Sequence, residues 1–318
     1  MARAGSGFGF SIRAASILCV LAANAPDLDI LMWPSMGFET YVLYRQGLTH
    51  SIIAVIAIGL FVGVIAAKMA GVLVRRGVLL ATLAALVHVI LDSLTVFGVE
   101  PFAPFSHQII ASGTLFQTDL ILLAVVSLAV WLPAVARVEA GPVARFTLGL
   151  GAVYIVAAGV FQMAAVASQS ESGTATAVAF AAPLSPLHWS VVVPGDPIEL
   201  RAVDSLNGVV ARQRAAKNRE HPAVRAVTGS PLGARFVGRT NGLWWSEVRC
   251  LKTGFAVLLF SAQSQNAWSP ANSPLVSEVT SKNGVLTVDE QYWAAWITGR
   301  KAPAADCPDT SPWTSRPL

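Results

Sequence analysis

Charge is scarce in this sequence. Charged residues make up 13% of its 318 residues, whereas soluble domains usually carry about a quarter. Hydrophobic residues account for 54%. The deficit lies between Ser11 and Ala167, where long apolar stretches dominate, while the chain from Ser168 onward has the composition of a soluble segment. The sequence therefore predicts two domains, a membrane domain over residues 1–167 and a soluble domain over residues 168–318.

Several other features are missing, and each absence removes a class of site. There are three cysteines and no CxxC pair, which argues against a zinc site built from thiolates. There is no GxSxG motif, as a nucleophile elbow would require. The glycine-rich stretch Gly5–Gly9 follows no strand, which argues against a phosphate-binding loop. If the tail lies outside the cytoplasm, Cys250 and Cys307 could form a disulfide.

Five apolar stretches are predicted to form transmembrane helices, because a bilayer core about 30 Å thick needs roughly 20 apolar helical residues. They run over Ser11–Ala25, Thr49–Ala67, Gly77–Phe97, Thr114–Ala136 and Val143–Ala167. With five spans, the basic residues near the helix ends fall on one side, which the positive-inside rule makes cytoplasmic. The net charge of +4 reports this topology rather than a nucleic-acid partner. The loops Pro26–Leu48 and Gly98–Gly113 and the tail then face outward.

The same topology gathers ionisable side chains near the outer face. They are Asp27, Asp29, His50, His88, Asp92, His107 and Asp119. Ionisable groups within membrane spans are costly to bury and by default indicate function. Asp27 and Asp29 stand at i and i+2, where an extended segment can direct both carboxylates to one cation. The alternative for this pair is a helix stop with solvated acids.

Two further motifs contribute histidines. In Gln46–Ser51, Gly47 permits a tight turn, Thr49 is the predicted N-cap, and His50 then lies in the first helical turn. The i, i+4 spacing of His88 and Asp92 puts both on one helix face, where they can reach one metal. The alternatives are an incidental interfacial histidine and a buried His–Asp hydrogen bond that joins helices.

Together, two histidines and three carboxylates suit zinc, manganese or iron. A bound ion would lower the pKa of a coordinated water to about 7 and so supply a nucleophile. Asp119 could be a ligand, a carboxylate that orients a histidine, or a charge favoured by a helix N-terminus. His107 lies in a loop from which it could act on a substrate.

Taken in order, these motifs resemble the membrane-bound, metal-dependent hydrolase family, which includes the LexA-regulated, YdjM-like proteins of the bacterial inner membrane. The residues that carry the resemblance are Pro26-Asp27-x-Asp29, Gly47-x-Thr49-His50-Ser51, His88-x-x-x-Asp92, Thr95, Gly98, Pro104-Phe105-Ser106 and Asp119. The match covers about Ala22 to Leu123. It implies hydrolysis at a metal, with zinc as the first choice, and names no substrate.

Two departures from the family pattern shape the expectation. Members usually begin with an acidic-x-x-Thr-His motif on a helix that precedes the PDxD motif. The residues after Met1 resemble the loop that follows this helix, so we expect one span and one ligand histidine to be missing from the chain. Arg45 stands where many relatives have a histidine before an arginine.

The soluble domain is predicted to be smaller and mainly β, of α+β class. Expected strands are Trp189–Val193, Arg235–Gly238, Leu243–Arg249, Ala256–Phe260, Val276–Ser281 and Val285–Val288. Asn241-Gly242 and Asn283-Gly284 fit tight hairpin turns. The basic run Arg212–Arg219 and the aromatic run Gln291–Gly299 are expected to be helical. No catalytic constellation is visible in this domain.

The leading hypothesis is a hydrolase of an ester or phosphoester, with a lipid as one option, at the outer membrane–water interface. The expected metal ligands are Asp27, Asp29, His50, His88 and Asp92. Asp119 would act as general base or orient a ligand, and Arg45, Thr49 and Ser51 would contact substrate. The alternatives are a transporter and an envelope structural protein. A transporter is disfavoured because the inner halves of the helices carry almost no charge.

Overall fold

The computed structural model describes residues 9–169, 177–182, 186–251, 254–263, 274–282 and 285–293. The chain divides into two compact units, Met1–Gly159 and Val160–Leu318. The first, the helical unit, contains the apolar helices, and the second, the sheet unit, contains the strands. The division falls eight residues before the boundary predicted at residue 167.

All five predicted apolar stretches form helices. The helices are α1 Ile12–Asn24, α2 Trp33–Met36, α3 Phe38–Tyr44, α4 Ile52–Ala70, α5 Val74–Ser93, α6 Leu120–Ala136 and α7 Ala140–Ala167. Short 3-10 helices cover Pro26–Met32 and Leu48–His50. The N-cap of α4 is Ser51, whose hydroxyl accepts a hydrogen bond from the Ala54 amide. Thr49 therefore does not cap this helix, and His50 precedes it instead of lying in its first turn.

The count of five spans is not confirmed. Three helices of the described chain are long and apolar enough to cross a bilayer, at Ile52–Ala70, Val74–Ser93 and Gly141–Ala167. The pair Arg13–Asn24 and Pro26–Met36, bent by 53°, would form a fourth span if it crosses as one. The predicted span Thr114–Ala136 is shorter, with an apolar helix only over Leu120–Pro133.

Helices α4 and α5 form a hairpin, since only residues 71–73 join them. Their contact is built from small residues, with Gly59, Gly63 and Ala67 buried at every fourth position of α4. A Cβ added to Gly63 would lie 2.5 Å from the Cα of Val78. In lipid, where tails are as apolar as leucine, such small residues let helix backbones approach closely. The hairpin thereby holds the start of α4 beside the end of α5.

The hairpin also packs against α1. Phe10, Ala15, Leu18 and Ala22 form one buried cluster with residues of α4 and α5, including Leu80. The end of α1, the start of α4 and the end of α5 therefore lie at the same end of the helical unit.

The sheet unit carries two antiparallel four-stranded sheets, each in sequential strand order. The first contains β1 Val178–Ala181, β2 His188–Val193, β3 Ile198–Asp204 and β4 Gly208–Ala215, and the second contains β5 Trp244–Leu251, β6 Gly254–Ser261, β7 Leu275–Lys282 and β8 Val285–Trp293. Helices α8, Pro222–Gly229, and α9, Pro231–Arg239, lie between the sheets in the sequence. The prediction of a β-rich region after the apolar helices is confirmed.

Several local predictions in this unit are wrong. Arg235–Gly238 belongs to α9, because the Ser230 hydroxyl caps a helix that Pro231 opens. The basic run is not helical through Ala215, because Arg212 and Arg214 lie in β4 and pair with β3. Strand β8 continues to Trp293, so the start of the predicted aromatic helix is extended.

Two predicted turns have different outcomes. Asn241-Gly242 joins α9 to β5, with positive φ at both residues, so it is not a hairpin turn. Asn283-Gly284 lies outside the described residues. Cys250 is disulfide-bonded, and its predicted partner Cys307 also lies outside the described residues.

Replacing Gly63 by alanine tests the α4–α5 contact. The new Cβ would meet backbone atoms of α5, so the helices must separate, at an expected cost of about 1–3 kcal/mol for overpacking. Gly149→Ala in α7 is the matched control, because no atom lies within 4 Å of its added Cβ. Thermal unfolding in detergent should show a lower midpoint for Gly63→Ala only. Equal midpoints for the two variants would contradict the proposed close contact.

Candidate metal centre

Four of the predicted ligands converge at one end of the helical unit. Asp27, His50, His88 and Asp92 each offer one ligand atom, and these atoms all lie within 4.8 Å of one another. We call them the four-residue cluster. Asp27 follows α1 in the 3-10 helix that Pro26 opens, and His50 ends the 3-10 turn before α4. His88 and Asp92 lie one turn apart near the end of α5.

Five pairs of ligand atoms in the cluster lie 3.4–3.7 Å apart, with Asp27 contributing Oδ1 to one pair and Oδ2 to another. His50 Nε2 lies 3.4 Å from both His88 Nε2 and Asp92 Oδ2, and 3.5 Å from Asp27 Oδ1. His88 Nε2 lies 3.6 Å from Asp92 Oδ2 and 3.7 Å from Asp27 Oδ2. With bonds of about 2.1 Å, tetrahedral geometry places neighbouring ligand atoms about 3.4 Å apart. The cluster could therefore hold one metal ion.

Burial within the cluster is uneven. The side chain of His50 is fully buried and those of His88 and Asp92 are 18% and 15% exposed, whereas Asp27 is 53% exposed. Burial alone would lower the pKa of His50, but its hydrogen bonds to Asp27 and Asp92 outweigh burial and raise that pKa to about 9. The two carboxylates thus favour a positive charge between them, which a divalent cation would supply.

Asp29, the fifth predicted ligand, is not one of the cluster. The prediction assumed an extended segment, but Asp27 and Asp29 lie in a 3-10 helix, whose three residues per turn direct positions i and i+2 to different sides. Asp29 Oδ2 instead accepts hydrogen bonds from the backbone N–H of Gln46 at 3.1 Å and from Thr49 Oγ1 at 3.2 Å. Asp29 therefore stabilises the turn that carries His50.

Thr49 fixes the orientation of the His50 ring. Its Oγ1 lies 3.0 Å from His50 Nδ1. Because the Thr49 hydroxyl donates its one proton to Asp29, it can only accept from Nδ1. The neutral imidazole then carries its proton on Nδ1 and directs the free Nε2 lone pair into the cluster. Such partners of a ligand histidine set its tautomer and its affinity for metal.

Gln46 is a site residue that the sequence reasoning missed. It is 1% exposed, and its Nε2 donates to Asp92 Oδ2 at 3.0 Å. Its backbone is left-handed, with φ +58°, which is uncommon for a residue other than glycine. Its Oε1 is buried with no hydrogen-bond partner among the described residues. The available signal in the sequence was the place of Gln46 in the same motif as Gly47 and His50. Its side chain is uncharged, so it does not stand out among apolar residues as Asp or His does.

The remaining predicted residues are not members of the cluster. Arg45 is half-buried and close enough to Asp27 to interact electrostatically. Ser51 is buried, and its hydroxyl bonds to Leu48 O and the Ala54 amide, which replaces the predicted substrate contact with helix capping. Asp119 caps α6 through the Leu122 amide and accepts from the Tyr154 hydroxyl at 2.7 Å. These contacts give Asp119 a structural role.

Comparison with known proteins bears on the helical unit. A protein family described as YdjM inner membrane protein matches residues 2–166, a range that includes the whole four-residue cluster. The resemblance noted from the motifs is therefore confirmed. No curated protein and no solved structure matches the chain.

Thr49→Val tests the role of the threonine hydroxyl. The change keeps the shape of the side chain but removes the oxygen that fixes His50 Nδ1, so metal affinity should fall about 10–100-fold. Thr147→Val is the matched control, because the Thr147 hydroxyl donates to the Ala144 carbonyl of its own helix, α7. Affinity is measured by competition with a chelator of known strength. Equal affinities in both variants would remove Thr49 from the centre.

Metal binding should strengthen with rising pH. An ion needs the Nε2 lone pair of His50, which a proton occupies below the raised pKa of about 9. Each proton displaced makes the apparent affinity rise about tenfold per pH unit up to that pKa, and the affinity then levels off. Chelator competition with cobalt between pH 6 and pH 9 measures the slope. A flat profile over this range would contradict the ligand role of His50.

Proposed function

Since the chain belongs to the YdjM inner membrane protein family, we propose that it is a membrane-bound, metal-dependent hydrolase of an ester or phosphoester. The observation that carries the proposal is the four-residue cluster, whose two imidazoles and two carboxylates offer ligand atoms that all lie within 4.8 Å of one another. Ionisable groups within an apolar helical unit are costly to bury and by default indicate a functional site.

The ligand set supports zinc as the ion. Two imidazole nitrogens and two carboxylate oxygens suit zinc, with manganese and iron as alternatives. The ion would be held by His50, His88, Asp92 and Asp27. When bound, it would supply a water of lowered pKa, about 7, as the nucleophile. Since Asp27 is the exposed ligand, substrate would approach from its side.

The surroundings of Asp27 favour a lipid substrate. The segment that carries Asp27 exposes a run of large apolar side chains: Leu28, Ile30, Leu31, Met32 and Trp33. Phe102 and Phe105 of the loop after α5 are also exposed. Apolar side chains next to an open polar site suit a substrate with an acyl chain beside its ester bond.

Charge supports placing the cluster at the outer face. Lys68, Arg75 and Arg76 lie at the opposite end of the α4–α5 hairpin from His50 and Asp92. The positive-inside rule makes that basic end cytoplasmic. The cluster then faces the periplasm, whichever helices cross after α5. A periplasmic sheet unit is a separate proposal, because it depends on α6 and α7 both crossing.

Removing one ligand tests the proposal. His88→Ala and Asp92→Ala should each lose stoichiometric metal and at least 100-fold in hydrolysis, because a ligand is lost in each. His188→Ala is the matched control, since this histidine pairs with Asp204 in the sheet unit. Elemental analysis of the full-length protein measures the metal. Activity is measured on p-nitrophenyl butyrate, on bis-p-nitrophenyl phosphate and on a short-chain phospholipid.

Two results would overturn the proposal. The first is metal content in the ligand variants equal to that of the control. The second is hydrolysis of all three probes that does not differ between the zinc-loaded wild type and His88→Ala.

A further inference from the structure

A second histidine–carboxylate pair lies in the loop between α5 and α6. His107 Nδ1 and Glu100 Oε2 are 2.8 Å apart. The carboxylate side chain is 1% exposed, whereas the imidazole is 61% exposed. A buried carboxylate is costly unless it is paired. His107 provides a partner for the buried Glu100, while most of its own ring faces outward. The family motifs in the sequence include neither residue.

The pair is tied to the turn that carries His50. Two backbone hydrogen bonds make this connection. The N–H of Glu100 donates to the backbone carbonyl of Gln46 at 3.1 Å, and the N–H of Ile52 donates to the backbone carbonyl of Pro101 at 3.0 Å. Gln46 in turn donates from Nε2 to the ligand Asp92. The segment with Glu100 therefore packs along residues 46–52, which carry His50 of the four-residue cluster.

The loop that carries His107 is also fixed in place. Val99 and Ile110 exchange backbone hydrogen bonds of 3.0 and 2.9 Å, and the Ser112 amide donates to the Ser93 carbonyl at the end of α5. Gly98 turns the chain with φ +62°, where an added Cβ would clash with the Ile110 carbonyl. His107 is thus held on a closed loop at the same end of the helical unit as the cluster.

We propose that His107 is the proton donor to the leaving group of the hydrolytic reaction. The inference rests on the proposed hydrolase function. A carboxylate that accepts from Nδ1 orients the ring and leaves Nε2–H for the substrate. Its exposed position suits contact with a substrate that approaches over the open side of the cluster.

In the proposed step, one bond forms and one bond breaks. Water adds its oxygen to the carbonyl carbon or phosphorus, and the bond from that atom to the leaving oxygen breaks. The leaving oxygen takes the proton from His107 Nε2 and departs as an alcohol. The neutral imidazole then regains a proton, ultimately the one released by the attacking water. Glu100 remains a carboxylate throughout and acts as a positioning residue.

The His107→Asn variant distinguishes proton donation by His107 from a role limited to its hydrogen bond with Glu100. The asparagine amide can donate to Glu100 from the position of Nδ1, but it has no group that replaces Nε2–H. We expect activity to fall on the order of 100-fold on phenyl butyrate or phenyl phosphodiesters, as expected for loss of a general acid. On the p-nitrophenyl analogues, whose leaving group needs little protonation, the loss should be much smaller. Metal content and the unfolding midpoint should match wild type.

His107→Ala and Glu100→Gln complete the experiment. His107→Ala should show the same dependence on the leaving group, with a lower unfolding midpoint because Glu100 loses its hydrogen bond to His107. Glu100→Gln keeps an acceptor for Nδ1–H and should lose less activity than His107→Asn. Each variant is compared with His88→Ala, which reports the four-residue cluster.

The outcomes distinguish the two proposals. If wild type hydrolyses the probes, His88→Ala does not, and His107→Asn equals wild type on both leaving groups, His107 only neutralises Glu100 and this inference is wrong. The same conclusion follows if His107→Asn loses equal activity on both leaving groups. If wild type is no more active than His88→Ala, the proposed function fails, and the inference fails with it.

Discussion

The close approach of α4 and α5 is the constraint on which the metal centre depends. Gly63 lies against the backbone of Val78, so the two helix axes are held at a fixed separation along the hairpin. His50 lies at one end of this contact and His88 near the same end, with 3.4 Å between their Nε2 atoms. A wider hairpin would part the two histidines, because neither side chain can lengthen to follow its backbone.

Around the cluster, a carboxylate and two neutral polar side chains do most of the positioning. Asp29, Thr49 and Gln46 form a connected set of hydrogen bonds that reaches His50 on one side and Asp92 on the other. One of these bonds is buried and the other three are partly buried, and loss of a partner at a buried group leaves a costly unsatisfied group. The positive φ of Gln46 is a local strain that this network offsets. Strain of this kind is found mainly at functional sites.

The sequence predicted which side chains gather in the cluster better than it predicted their surroundings, since four of the five expected ligands lie together. The i, i+4 spacing of His88 and Asp92 needs only a helix to bring them together, and charge in an apolar run marks them. Asp29 was placed wrongly because the conformation of residues 26–32 decides its direction, and a 3-10 helix is not readable from PDLD. Gln46 and Glu100 act through backbone contacts between distant segments. Such contacts depend on tertiary packing, which no local pattern encodes.

The four residues of the cluster differ in burial, and this difference would affect the affinity for a metal ion and the rate of its exchange in different ways. Three ligands lie largely inside the protein, and Asp27 stands at the surface on a short 3-10 helix. If an ion binds, the buried residues would set how tightly it is held. Asp27 is the most exposed of the four, so an ion that exchanges with solvent would pass this carboxylate. Changes at Asp27 would therefore alter how fast the protein is loaded with metal, separately from how much metal it holds at equilibrium.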